Sequence, residues 1–214
     1  MKRLLLLVSF LNLWVVCVTA QRWEFLHETD HPYERIDGSC MGLDGNVYFV
    51  GRTGDSFSHS HAFIMRVAPD GDHVCRIHRV DDSYSNFRNV TQLPNGNLFA
   101  VGFRSCTSLE CAGLIVVVFD TELNVILEKQ YDPERSGALF GHDSQTVLDG
   151  EGNAVVFTSQ KVFEAGGLWR YSAILYRFNE EGDTIMHRDF YDADAPLAYW
   201  NQNLEPHKVI FDSN

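Results

Sequence analysis

Phe63-Ile64-Met65-Arg66-Val67-Ala68-Pro69-Asp70-Gly71-Asp72 and Ile174-Leu175-Tyr176-Arg177-Phe178-Asn179-Glu180-Glu181-Gly182-Asp183 share an apolar pattern, an arginine and a Gly-Asp turn at a constant offset of 111 residues. Between them, Ile115 to Phe119 followed by Asp120-Thr121-Glu122-Leu123-Asn124 fits the same frame, 52 residues after the first copy. The chain is therefore an internal repeat. Upstream of each copy a second element recurs. Leu43-Asp44-Gly45-Asn46-Val47-Tyr48-Phe49-Val50-Gly51 matches Leu93-Pro94-Asn95-Gly96-Asn97-Leu98-Phe99-Ala100-Val101-Gly102 and, more loosely, Leu148 to Phe157, with asparagines at 46, 97 and 153.

Periods near 50 residues built from short apolar runs predict several strands per unit, because helical repeats would need helix-length apolar stripes. Four strands per unit follow: about 35–43, 47–52, 62–68 and 73–80, then 88–93, 98–103, 114–120 and 125–131, then 143–148, 154–159, 173–179 and 184–190. Gly45, Gly71, Gly96, Gly152 and Gly182 mark hairpins, since a twist-compatible tight turn requires positive φ and glycine accepts it. The continuous apolar run Leu114 to Phe119 suits a strand covered on both faces. The expected fold is all-β, a β-propeller-like array of four-stranded antiparallel blades with about three and a half blades present.

The order Asn-Val-Tyr-Phe-Val-Gly-Arg-Thr-Gly from Asn46, a spacer, then Ala-Phe-Ile-Met-Arg-Val-Ala-Pro-Asp-Gly-Asp from Ala62 resembles the repeats of secreted bacterial β-propellers over about residues 35–192. The resemblance implies a propeller scaffold with no catalytic signature of its own. Two departures stand out. The outer-strand tryptophan of such repeats is replaced by Cys75, Leu127 and His187 or their neighbours, and the chain ends before a ring of at least four blades. Leu204-Glu205-Pro206-His207-Lys208-Val209-Ile210-Phe211 echoes Leu93 to Phe99, so a fourth unit begins and stops at its second strand. The units are read as 35–81, 87–132, 142–191 and a partial 198–214, all within one partial domain over 21–214. An arc of this kind self-associates, or belongs to a longer protein whose missing blades lie downstream.

The N-terminus gives a compartment. Lys2 and Arg3 precede an apolar run from Leu4 to Val16, and Val18-Thr19-Ala20 suits signal peptidase, so residues 1–20 read as a cleaved signal peptide. The run is too short for a spanning helix, which needs about 20 apolar residues. The expected location is secreted or extracytoplasmic, in a periplasm or at a cell surface. With Lys2 and Arg3 gone, 17 basic residues become 15 against 29 acidic, and the formal charge moves from −12 to −14. Phosphate neutralisation needs a basic face, so no nucleic-acid partner is expected. Cys40, Cys75, Cys106 and Cys111 remain in a compartment that permits disulfides. Cys106 and Cys111, in one loop, are the disulfide candidate; Cys40 and Cys75 lie in apolar runs that equally suit buried thiols.

The long connections are expected at 53–61, 104–113, 160–172, 81–87, 132–142 and 191–200, and an up-and-down blade gathers all of them at one end. Elaborated loops on a rigid scaffold carry binding. Trp169, Arg170, Tyr171, Tyr199, Trp200 and His142 are the ligand candidates, because aromatic planes with interspersed polar groups suit sugar rings or a peptide. His59-Ser60-His61 has strand spacing for two imidazoles on one side but no visible third ligand, so no metal is assigned. No cofactor fingerprint or nucleophile elbow occurs, and no catalytic residue is assigned. The sequence thus reads as a secreted non-catalytic binding or scaffold module for a glycan or protein ligand. The alternatives are a carbohydrate-active hydrolase or lyase, for which His142 and Asp143 would be the test positions, and a fragment of a larger propeller with no activity of its own.

Overall fold

The computed structural model describes residues 33–56, 59–79, 83–106, 113–132, 138–163 and 169–190. They form twelve strands in chain order: β1 (Tyr33–Met41), β2 (Val47–Ser56), β3 (His59–Val67), β4 (His73–His78), β5 (Ser83–Gln92), β6 (Leu98–Cys106), β7 (Gly113–Phe119), β8 (Val125–Tyr131), β9 (Ala138–Leu148), β10 (Ala154–Phe163), β11 (Trp169–Phe178) and β12 (Thr184–Phe190). Each run of four makes one antiparallel sheet whose neighbours in space are neighbours in sequence, and no helix occurs among the described residues. The expected recurrence of four strands, three times over, is what the chain forms.

Six five-residue hairpins explain why the strands turn where they do. In each, the first residue's N–H donates to the carbonyl of the fifth, and the fourth residue's N–H donates to the carbonyl of the first, as in Gly42–Asn46 and Leu93–Asn97. The fourth residue has positive φ, between 74° and 95° at Gly45, Gly71, Gly96, Gly152 and Gly182. This is the three-residue hairpin loop ending in a left-handed residue. A short side chain caps each turn from inside: Asp44, Asp70 and Asn95 accept from the N–H two residues on, and Asp120, Asp149 and Asn179 from the N–H four residues on. The sixth hairpin, 120–124, has Leu123 at the left-handed position with φ 64°.

The sheets stack face to face. At each junction the first strand of the later sheet packs across the first three strands of the earlier one, β5 over β1, β2 and β3, then β9 over β5, β6 and β7. One apolar cluster joins Tyr48, Val50, Ala62 and Ile64 to Phe87, Val90, Leu98, Ala100, Ile115, Val117, Phe119 and Leu123. A second joins Leu93, Phe99, Val101, Leu114, Val116 and Val118 to Ala154, Val156, Ile174, Tyr176 and Phe178. The middle sheet is covered on both sides, and β7 is buried at every position, as its unbroken apolar run predicts. The fourth strands, β4, β8 and β12, carry the exposed edge with Arg76, Lys129, Arg188 and Asp189 among their residues, charges that discourage further edge pairing.

The first strands carry a repeated bulge. β1 bulges at Asp37 and β5 at Arg88, each across from a glycine, Gly51 or Gly102, whose missing Cβ makes room for the partner strand's carbonyl. In the third repeat Thr158 stands where the glycine would be, and the bulge moves one residue on, between Thr158 and Gln160. The first two bulged residues meet across the junction: Arg88 Nη1 donates to Asp37 Oδ1 at 2.8 Å, and Arg35 Nε pairs with the same oxygen at 2.7 Å.

Candidate functional site

The strands run further than the turn signals indicate, and this moves the candidate site. The strands reach into the expected loops at 53–61, 104–113, 160–172, 81–87 and 132–142, because β2 continues to Ser56, β6 to Cys106 and β10 to Phe163, while β5 begins at Ser83, β9 at Ala138 and β11 at Trp169. Trp169, Arg170 and Tyr171 are therefore rungs of a ladder, opposite Phe163, Val162 and Lys161. Their place on a loop is corrected by continued hydrogen-bonded pairing, which needs no apolar alternation once backbone partners are in reach. His142 likewise lies on β9, in the bulge opposite Ser159. All four stay at the end of the sheets away from the tight turns; the structure describes their backbone. Tyr199, Trp200 and Cys111 lie outside the described residues, and Cys106 closes β6 opposite Ser83.

Along each junction the buried face changes character from one end to the other. On the third sheet, successive rungs facing the second read Ala154 with Phe178, Val156 with Tyr176, Thr158 with Ile174, and Gln160 with Ser172. On the first sheet the rungs read Tyr48 with Arg66, Val50 with Ile64, Arg52 with Ala62, and Gly54 with Ser60. Apart from the half-buried Arg66, apolar side chains occupy the tight-turn half, and the long-connection half carries the buried polar residues Arg52, Ser60, Thr158, Gln160 and Ser172. Burying polar groups is costly unless they are hydrogen-bonded, so the polar half must be organised or waiting for a partner.

In the first junction it is organised. Arg52, 2% exposed, donates from Nη1 to Tyr84 Oη at 2.6 Å, with its guanidinium 5.2 Å from the Tyr33 ring centroid and 6.0 Å from that of Tyr84. The Ala62 N–H donates to Ser85 Oγ at 2.9 Å, tying the two sheets together. Tyr84 packs edge-on against Phe103, over which Arg88 also lies. Burial pushes the Tyr84 hydroxyl above its ordinary range, against the pull of Arg52. Tyr84, within the expected long connection 81–87, is thus a packing residue between sheets.

In the second junction the polar half is incomplete. Ser144 Oγ donates to Thr158 Oγ1 at 3.2 Å. Beyond that pair, Gln160 and Ser172 face each other directly across β10 and β11, each 1% exposed, and neither the Gln160 amide nor the Ser172 hydroxyl has a hydrogen-bond partner among the described residues. Leaving such groups unpaired costs about 1–3 kcal/mol each. They adjoin, along the same two strands, the rungs that carry Tyr171 and Trp169.

Among the described residues no three His, Cys, Asp or Glu side chains come together as a metal site, and no helix is long and apolar enough to cross a membrane. Cys40 and Cys75 are free thiols, both pushed up to about 11 by burial. The chain matches no protein-family model and no curated protein.

Two features of the site escape turn and periodicity reasoning. Asp37 and Arg88 fall at equivalent repeat positions, 51 residues apart like Asn46 and Asn97, so their opposite charges were a usable signal of a contact between units. Gln160 and Ser172 had no such signal, since they lay in what reads as a polar loop.

Proposed function

We propose that this chain is a secreted, non-catalytic binding module of β-propeller type that holds a glycan at the long-connection end of its second and third sheets. The observation that carries the reading is the buried pair Gln160 and Ser172. An amide and a hydroxyl together offer donors and acceptors at one spot, which is the chemistry a sugar hydroxyl matches. Two residues from Ser172 along β11, Arg170 falls at the same alternating position and offers a guanidinium for further hydrogen bonds, whereas Trp169 and Tyr171 fall at the opposite positions. The closed ends of the hairpins, sealed by their own Asp and Asn caps, offer no comparable groups. Secretion is supported by the Met1 to Ala20 pattern, and the propeller reading by the repeated way each sheet's first strand crosses the preceding sheet.

Binding of the purified chain to a panel of immobilised glycans tests this. Gln160→Leu keeps the volume and removes the hydrogen-bonding groups, so it should weaken binding by about tenfold, the equivalent of one good hydrogen bond, with folding stability maintained or raised. Arg170→Ala should weaken it as well. Wild-type binding that survives both substitutions refutes the site. Release of sugar from the bound glycan, abolished by His142→Ala or Asp143→Asn, would show the hydrolase alternative instead.

A further inference from the structure

Three of the six hairpins carry an aspartate or asparagine at their third position, directly before the positive-φ glycine. Asp44, Asp70 and Asn95 each accept through Oδ1 from the N–H two residues on, at 3.0, 3.1 and 2.9 Å. The side-chain amide at 95 thus occupies a place that the fold twice gives to a carboxylate. Asn95-Gly96 is also the one Asn-Gly dipeptide of the chain, since every other asparagine with a successor precedes a residue that carries a side chain. A Cβ on the following residue hinders the approach of its backbone nitrogen to the asparagine Cγ, and glycine removes that hindrance.

Asn95 is exposed, and a Cβ built on Gly96 would meet nothing within 4 Å. Two hydrogen bonds restrain the reacting groups, Asn97 N–H to Asn95 Oδ1 and Gly96 N–H to Leu93 O, each at 2.9 Å. Both belong to a surface turn, where local opening costs far less than global unfolding. We propose that Asn95 is a self-modification site of the folded protein, converted by deamidation from an amide to a carboxylate. The Gly96 nitrogen gives its proton to solvent base and bonds to Asn95 Cγ, and the side-chain nitrogen leaves as ammonia. Water then opens the five-membered imide, so one water is consumed and one ammonia released. Opening between Cγ and the Gly96 nitrogen restores the normal backbone with an aspartate side chain, which takes the cap that Asp44 and Asp70 show, and its charge strengthens the hydrogen bond from the Asn97 N–H. Opening at the backbone carbonyl adds one atom to the main chain. That product does not fit a turn closed by Leu93 N–H to Asn97 O and held by Gln92 Nε2 to Gly96 O, both at 2.8 Å. This assignment is independent of the glycan reading.

Incubating the purified full chain in mildly alkaline buffer made with heavy-oxygen water, then digesting it in ordinary water and mapping the peptides by mass spectrometry, tests this. Heavy oxygen should enter at residue 95 while Asn46, Asn97, Asn124 and Asn153 keep their amides. The chain should gain a more acidic band on native isoelectric focusing that coincides with the band of Asn95→Asp, and Asn95→Asp should keep the wild-type urea midpoint. Asn95→Gln, whose longer side chain has to close a larger ring, should lose the label. No label at residue 95 in the native chain, with label there once the chain is unfolded in urea, would show that the turn protects the amide and overturns the proposal. So does label that persists in Asn95→Gln or enters first at another asparagine. An Asn95→Asp chain that unfolds at lower urea overturns the claim that the turn accepts the carboxylate.

Discussion

Leu123 holds the left-handed position that five glycines hold elsewhere, and replacing it separates backbone strain from packing. With φ 64° its backbone carries about 1–2 kcal/mol of strain that glycine would not. Its side chain is 3% exposed and sits in the cluster between the first and second sheets with Phe119, Val117 and Phe87. Truncating such a leucine to alanine costs about 2–5 kcal/mol. Leu123→Ala keeps the strained backbone and should lose about 3 kcal/mol. Leu123→Gly removes one more methyl, about 0.8 kcal/mol, and relieves the strain, so it should lose as much or slightly less. Urea unfolding followed by circular dichroism checks both through their midpoints. A Leu123→Gly protein as stable as the wild type, or more stable, would refute the claim that this side chain outweighs its turn.

The glycine turns and their caps yield the remaining expectations. Gly152→Ala should destabilise more than Gly71→Ala: both have positive φ, but a Cβ at 152 would lie 2.6 Å from Pro94 Cγ in the neighbouring sheet's turn, whereas nothing lies within 4 Å at 71. Equal melting temperatures for the two variants would contradict that contact. Asp149 titrates below its ordinary range; burial works upward, but the N–H groups of Asn153 and Glu151 and the Arg177 guanidinium outweigh it. Its contribution is therefore complete above the unfolded value near 3.9 and is lost as pH falls through the lower folded value. Wild-type urea midpoints should drop on acidification below about pH 4, and Asp149→Asn should flatten that slope.

Local chemistry was legible without tertiary context. The Asp-Gly turns at Gly45 and Gly71, the Asn-Gly turn at Gly96 and the Glu-Gly turns at Gly152 and Gly182 declare positive φ, so these hairpins follow from the chain alone, and the strands between them inherit their order and direction. The buried run of β7 was equally plain, since seven apolar residues have no polar face to expose. The ends of the strands were not legible. Pairing at Ser56, Cys106 and Phe163 is set by a backbone partner across the ladder, which tolerates polar residues and leaves no periodic trace. Burial of Arg52, Gln160 and Ser172 was decided later still, by a neighbouring sheet about 50 residues away in sequence. The turns depend on the conformational preferences of single residues, while the polar half of each junction depends on which faces meet, and that exists only once the sheets have stacked.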